Sequence, residues 1–152
     1  MCGSWSSLDI TRFIAMTLKD LEDTLPNGLH DAEVRSIHVD YQRRRLTLDV
    51  DVWVGTMDDP PEQREAYKNG QLDISGLIFL VMEPPCAGYR VSSEITIDSV
   101  DEEKSVSREL SRSVPAGAFC HSFFVFEWNT CMYFAGTNVE MIWKNNGAVT
   151  YR

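Results

Sequence analysis

Apolar residues in the stretch IHVDYQRRRLTLDVDVW fall on every second position: Ile37, Val39 and Tyr41, then Leu46, Leu48, Val50 and Val52. A period of two places one face of an extended strand against a core and leaves the other to solvent. A turn centred on Arg43-Arg44 predicts an antiparallel hairpin that pairs Tyr41 with Leu46, Val39 with Leu48 and Ile37 with Val50. A slip of one residue would set Leu46 against Asp40 and destroy the match. On the opposite face, expected to be wet, the same pairing puts His38 across from Asp49 and Asp40 across from Thr47, with Asp51 near Ser36.

Upstream the period is helical. Ile10, Phe13, Ile14, Leu18, Leu21 and Leu25 form one stripe over residues 10–25, with Ser6 or Ser7 as the cap and Pro26-Asn27-Gly28 as the stop. Its polar side is mixed and slightly acidic, which suits packing on a sheet better than lying on a membrane. Downstream, residues 55–70 read as a polar excursion ending in an Asn-Gly turn, with a short helical turn near residues 62–67. Leu72 to Met82, whose run from Leu77 is apolar on both faces, predicts a central, doubly covered strand. Residues 89–98 alternate again, with Val91, Ile95 and Ile97 inward, and residues 98–112 read as a charged loop or short helix. The stretch FCHSFFVFEWNTCMYFAGTNVEMIW predicts two or three further strands. A turn at Asn129-Thr130 would align Phe126 with Tyr133 and Val125 with Phe134. The expected fold class is α+β: one domain over residues 1–152, an N-terminal amphipathic helix followed by a mainly antiparallel sheet or sandwich of six to seven strands.

At 152 residues the chain can bury a core without disulfides or metal. Four scattered cysteines without a CxxC pair argue against a disulfide scaffold or a zinc ribbon. No apolar run approaches the roughly 20 residues that span a bilayer, and the N-terminus does not follow the pattern of a secretory signal, so a cytoplasmic location is expected. Against 23 Asp and Glu stand 14 Lys and Arg, a net charge of -9. That field repels nucleic acid and anionic lipid, and attracts a basic protein.

The candidate ligands are His30, Asp31, Glu33, His38 and Asp49. Metal binding requires such groups to converge, and His30 and Asp31 do so only if the backbone turns between them. The other reading has Asp31 or Asn27 capping the turn while His30 bonds a carbonyl. His38 opposite Asp49 is either an acid-base pair or a surface charge pair. Cys120 and His121 are consecutive in a strand, so they point to opposite faces, and Cys120 serves as a small core residue. There is no GxSxG, no GxxxxGK[ST], no GxGxxG and no HExxH, and no cofactor is implied.

The segment LPNGLHDAEVRSIHVDYQRRRLTLDVDV, with its Leu-His-Asp-x-Glu-Val opening, and the final FFVFEW and CMYFAGTNVEMIW pattern resemble certain small bacterial β-rich proteins of unknown function. Some similar sheet proteins are thought to be immunity proteins of polymorphic toxin systems. The resemblance implies binding in place of catalysis, at His30, Asp31, Glu33 and Val34. Three functions follow as expectations. The first is a non-enzymatic protein-binding module of immunity type. The second is a metal-assisted hydrolase with His30, Asp31 and His38 as ligands and Glu33 as base. The third is a homo-oligomeric scaffold joined through the aromatic strands.

Overall fold

A computed structural model describes residues 15–89, 94–100 and 105–152. Nine strands lie in one sheet: β1 (Ala32–Asp40), β2 (Arg45–Trp53), β3 (Ala66–Ser75), β4 (Phe79–Met82), β5 (Thr96–Ser99), β6 (Phe119–Val125), β7 (Thr130–Gly136), β8 (Asn138–Trp143) and β9 (Val149–Tyr151). Their order is β4-β7-β6-β5-β1-β2-β3-β8, every neighbouring pair is antiparallel, and β9 also pairs with β3. Three short helices accompany it: α1 (Leu18–Glu22), α2 (Pro61–Arg64) and α3 (Ser105–Ser111).

The expected α+β class gives way to a sheet-rich fold, 46% strand and 13% helix among the described residues. Of the helical stripe, Ile10, Phe13 and Ile14 lie outside the described residues, as do Ser6 and Ser7. Within them the helix starts only at Leu18, where Thr17 and Asp20 form a capping box. Its start is set by β8: the Met16 amide donates to Asn138 Oδ1 (2.9 Å) and the Met16 carbonyl accepts from Val139 (3.0 Å), so the chain is extended there. Leu18 and Leu21 are buried and Leu25 packs on the core, as the stripe requires.

Nine strands stand among the described residues where six to seven were expected, because Gly76 divides the expected strand into β3 and β4 and because β9 was not foreseen; β3 also begins inside the supposed polar excursion. Ala66, Gly70, Leu72 and Ile74 are its inward residues and are buried, while Lys68 interrupts their alternation. The Asn-Gly dipeptide is mid-strand. A Cβ on Gly70 would come within 2.8 Å of Met141 Sδ and 2.9 Å of the Trp143 ring, so the missing side chain admits β8's large ones. The apolar run after Ser75 is no central strand: Gly76 turns the chain (φ 60) and β4 lies at a sheet edge against β7, with Val81 and Met82 exposed.

In the first hairpin the observed pairs are Val39 with Leu46, Ile37 with Leu48 and His38 with Thr47. The turn closes earlier than predicted. Asp40 Oδ1 accepts from the Arg43 amide, Arg44 is left-handed (φ 52), and Asp40 pairs with Arg45. The shift is even, so faces are kept, but Tyr41 leaves the strand and is 72% exposed. Between Val34 and Ser36 the register shifts at a bulge, which lets Val34 and Ile37, an odd number of residues apart, both point inward. The last hairpin shifts likewise: Val125 pairs with Thr130 and Phe123 with Met132. Ile97 is fully buried and Ile95 packs on the core, while Val91 lies outside the described residues.

The sheet folds back on itself. Only Thr137 separates β7 from β8, and its amide donates to Ser75 O on β3 (3.0 Å), while Ile78 donates to Ala135 O on β7 (2.8 Å). Leu46, Leu48, Leu72 and Ile74 from one half join Phe123, Met132 and Phe134 from the other in one core. Between the halves, among the described residues, β1 and β5 share the pairs Ala32 with Ile97 and Glu33 with Thr96, plus a bond from Val34 N to Ile95 O (2.7 Å). Every residue of β7 is buried, so both faces of the aromatic hairpin are covered within the chain along that strand.

Leu48→Ala is expected to destabilise the protein by about 2–5 kcal/mol, and Tyr41→Ala to change stability by no more than about 0.5 kcal/mol. Urea denaturation of both variants checks the register, because the pairing predicted from sequence makes Tyr41 a core residue.

Candidate functional site

The outward face of β1, β2 and β3 is built from the polar residues that the hairpin leaves between its apolar ones. In register, Glu33 on β1 lies directly opposite Asp51 on β2, and Asp51 lies opposite Asn69 on β3. Two carboxylates facing each other across a ladder repel, and here guanidinium groups bridge them. The bulge turns Arg35 outward, where Nη2 donates to Asp51 Oδ2 (2.6 Å) and reaches Glu33 Oε2 (3.5 Å). Just after β9, Arg152 bonds Glu33 through Nη1 and Asp51 through Nη2 (3.0 Å). Asn69 Nδ2 donates to Asp51 Oδ1 (2.8 Å). Burial raises the Asp51 carboxyl pKa, but the hydrogen bonds from Arg35 and Asn69 and the charges of Arg35 and Arg152 outweigh it and hold the group below its ordinary value. The expected wet face is, at Asp51, a buried ionic network.

The other predicted residues disperse. Asp49 is bonded by Lys144 Nζ (2.7 Å) and Asn69 Nδ2 (3.0 Å), and His38 faces Thr47, so the predicted His38-Asp49 pair does not form. His30 precedes β1 and His38 lies near its far end, roughly 25 Å away at the rise of a strand, so the ligand set of the hydrolase reading does not converge. The backbone does turn at Asp31 (φ 56), and His30 sits between two carboxylates: Nδ1 is 3.0 Å from Asp98 Oδ2 and Nε2 is 3.3 Å from Asp31 Oδ2. Among the described residues no group of three His, Cys, Asp or Glu is placed to hold a metal ion. Asn27 stitches this turn to the hairpin by donating to Trp53 O (3.2 Å) and Gly55 O (2.7 Å).

Beside the network lies an open groove of about 520 Å³. Its aromatic walls are Trp53 and Tyr67, direct cross-strand partners on β2 and β3. Asp31 and Glu65 contribute carboxylates, Met57 an exposed apolar side chain, and Arg152 reaches in from β9. The guanidinium carbon of Arg152 stands 4.2 Å from the Tyr67 ring centre, a stacking contact. Burial, then the nearby Glu33 charge, raises the Tyr67 pKa, and the phenol stays neutral. Trp53 is held by its indole N–H, which donates to Arg64 O (2.7 Å). That carbonyl lies where a Cβ on Gly55 would be, 2.0 Å away, so only glycine lets α2 close against the strand end.

A second polar cluster was not foreseen from sequence. Ser99 on β5 donates to Glu22 Oε1 on α1, and Ser99 Oγ lies 3.0 Å from His121 Nε2 on β6. Glu22 Oε1 is 3.6 Å from the same nitrogen. Both partners thus sit on one side of the imidazole, a chain of hydrogen bonds distinct from a nucleophile relay, in which serine and carboxylate bond different ring nitrogens. Burial lowers the His121 pKa from 6.5 to about 4, and burial raises that of Glu22. Both His121 and Cys120 border a cavity of about 420 Å³ beside α1.

Compared with known proteins, the chain matches no family, no curated protein and no solved structure. Among the described residues no helix is long and apolar enough to cross a membrane.

The site residues missed from sequence were Arg35, Trp53, Tyr67 and Arg152. For Tyr67 a signal existed in AYKNGQLDI, whose even positions Ala66, Gly70, Leu72 and Ile74 alternate with polar odd ones. Arg152 has no local signal, since its partners lie more than a hundred residues away.

In the unfolded chain His121 titrates near 6.5 and in the fold near 4, so unfolding takes up a proton between those values. Stability from this group is complete above pH 6.5 and falls by on the order of 3 kcal/mol as pH drops to about 4. Glu22 acts in the opposite sense: its stabilisation is present below its ordinary value of 4.5 and is lost as pH rises through its raised folded value. Comparing urea denaturation of the wild type and His121→Gln from pH 7 to 4.5 isolates the histidine. Equal pH slopes in the two proteins would contradict a buried neutral imidazole.

Proposed function

We propose that this chain is a non-enzymatic, cytoplasmic protein-binding module of immunity type, which docks a basic protein at the groove between Trp53 and Tyr67. The observation that carries this reading is where charge is matched and where it is not. On the sheet face, Arg35 and Arg152 neutralise Glu33 and Asp51, Arg45 bonds Asp73, and Lys144 bonds Asp49. The segment beside the groove is different: residues 56–65 hold Asp58, Asp59, Glu62 and Glu65 against Arg64 alone, and Asp31, 3.3 Å from His30 Nε2, adds a half-exposed carboxylate. The surplus negative charge therefore borders an aromatic groove with an exposed methionine. Such a surface steers a basic partner electrostatically and gives it an apolar anchor on arrival. The net charge of -9 opposes binding to nucleic acid or anionic membranes.

Affinity capture from the producing cells tests this. At low salt a basic protein is expected in stoichiometric amount, with recovery falling at high salt and lost in the double variant Asp31→Lys, Glu65→Lys. Recovery of no stoichiometric basic partner at low salt, or capture indifferent to both salt and charge reversal, would falsify the reading.

A further inference from the structure

The groove already contains an arginine, supplied by the chain itself. Arg152 satisfies its guanidinium with Glu33 and Asp51, stacks it on Tyr67 at 4.2 Å and anchors its backbone by donating to Glu65 O (3.0 Å). A planar fork held by two carboxylates over an aromatic face is how a protein recognises arginine and refuses lysine, whose ammonium is a point charge without a flat surface. The hydrogen bond to Glu33 and the charges of Glu33 and Asp51 keep the group firmly protonated.

The strand that brings Arg152 there is weakly tied. β9 has three residues, all exposed, paired with Ala66, Tyr67 and Lys68 of β3. Neither Val149 nor Tyr151 joins the core. Before it, Asn145, Asn146 and Gly147 are all left-handed (φ 51, 55 and 72), a joint that sets β9 apart from β8. An element that contributes backbone bonds and one ionic anchor, without core packing, is the kind that opens first. When it leaves, Glu33 and Asp51 face each other with Arg35 as their remaining guanidinium partner, the face of Tyr67 is bare, and residues 66–68 offer an open strand edge.

We infer that the cradle of Glu33, Asp51 and Tyr67 is an arginine-recognition site which β9 and Arg152 fill in the free protein, and that the basic partner binds by strand addition, an extended arginine-bearing segment replacing β9 on β3. This rests on the docking reading above and specifies its chemistry. The carboxylate pair is the reason for the specificity: opposite each other across β1 and β2, Glu33 and Asp51 need cations on both sides.

The test uses the full chain and peptides copying residues 148–152, acetyl-Ala-Val-Thr-Tyr-Arg-amide and the same peptide ending in lysine. Trp53, on the groove wall, reports binding by fluorescence. The arginine peptide is expected to bind Arg152→Ala about tenfold more tightly than the wild type, and about tenfold more tightly than the lysine peptide binds that variant. Adding Tyr67→Leu to Arg152→Ala should weaken the preference for arginine, and adding Glu33→Gln as well should remove it. Ethylguanidinium, but not ethylammonium, should raise the melting temperature of Arg152→Ala by mass action, which keeps the test decisive if that variant is less stable. Equal binding of the two peptides, or no gain in Arg152→Ala, overturns the arginine site even where cell capture yields a basic partner. Arginine-selective binding supports the site even where capture yields none.

Discussion

β2 pairs with β3 along all nine of its residues and with β1 from Arg45 to Asp51, and this double pairing is what the rest of the molecule is arranged around. Leu46, Leu48, Val50 and Val52 go fully into the core, and the residues between them are forced outward, where they can meet only what the flanking strands place opposite. Asp51 is the sharpest case. It is buried beneath its neighbours on a polar face, and a carboxylate in that position is tolerated because Arg35, Asn69 and Arg152 all bond it.

The sequence-level reading was good at faces and poor at partners. Alternation in residues 37–52 identified the inward leucines and valines, yet both hairpins pair in registers shifted by an even number of residues. An even shift keeps every paired apolar side chain on its own face, so hydrophobic pattern barely opposes it; the choice falls to turn chemistry, here Asp40 accepting from Arg43 and the left-handed Arg44 and Asn129. The change of parity from Val34 to Ile37 was a legible sign of the bulge. The first half of β3 was missed because its alternation is interrupted by Lys68 and Gly70, residues whose use depends on Trp143, to which Lys68 lies close (5.5 Å to the ring centre). Residues 15–17 lie within the expected helix but are not helical, because helical spacing says nothing of the strand edge that holds Met16 extended.

For the site, Asp31 and Glu33 were legible as polar residues clustered at a turn, and the structure places both at the groove and its network. Their partners were not. Tyr67 and Arg152 acquire their surroundings only through pairing between strands far apart in the chain, and His121 gains its low pKa only from burial between elements. His38 and Asp49 were matched through a register the chain does not adopt. The lesson is physical: pattern specifies which side of a strand a residue occupies, whereas the chemistry of an outward residue is set by the next strand across.

The narrow seam between β1 and β5 bears on how the molecule holds together. Among the described residues the ladder there has two residue pairs, and a ladder that narrow transmits little cooperativity from one half of the sheet to the other. What couples the halves is the fold-over itself, which presses Phe123 and Phe134 into the same core as Leu46 and Ile74 and passes the chain across at Thr137. Unity here is a property of packing: a polar side chain introduced between those two layers would loosen one half from the other while leaving nearly every backbone hydrogen bond within each half in place.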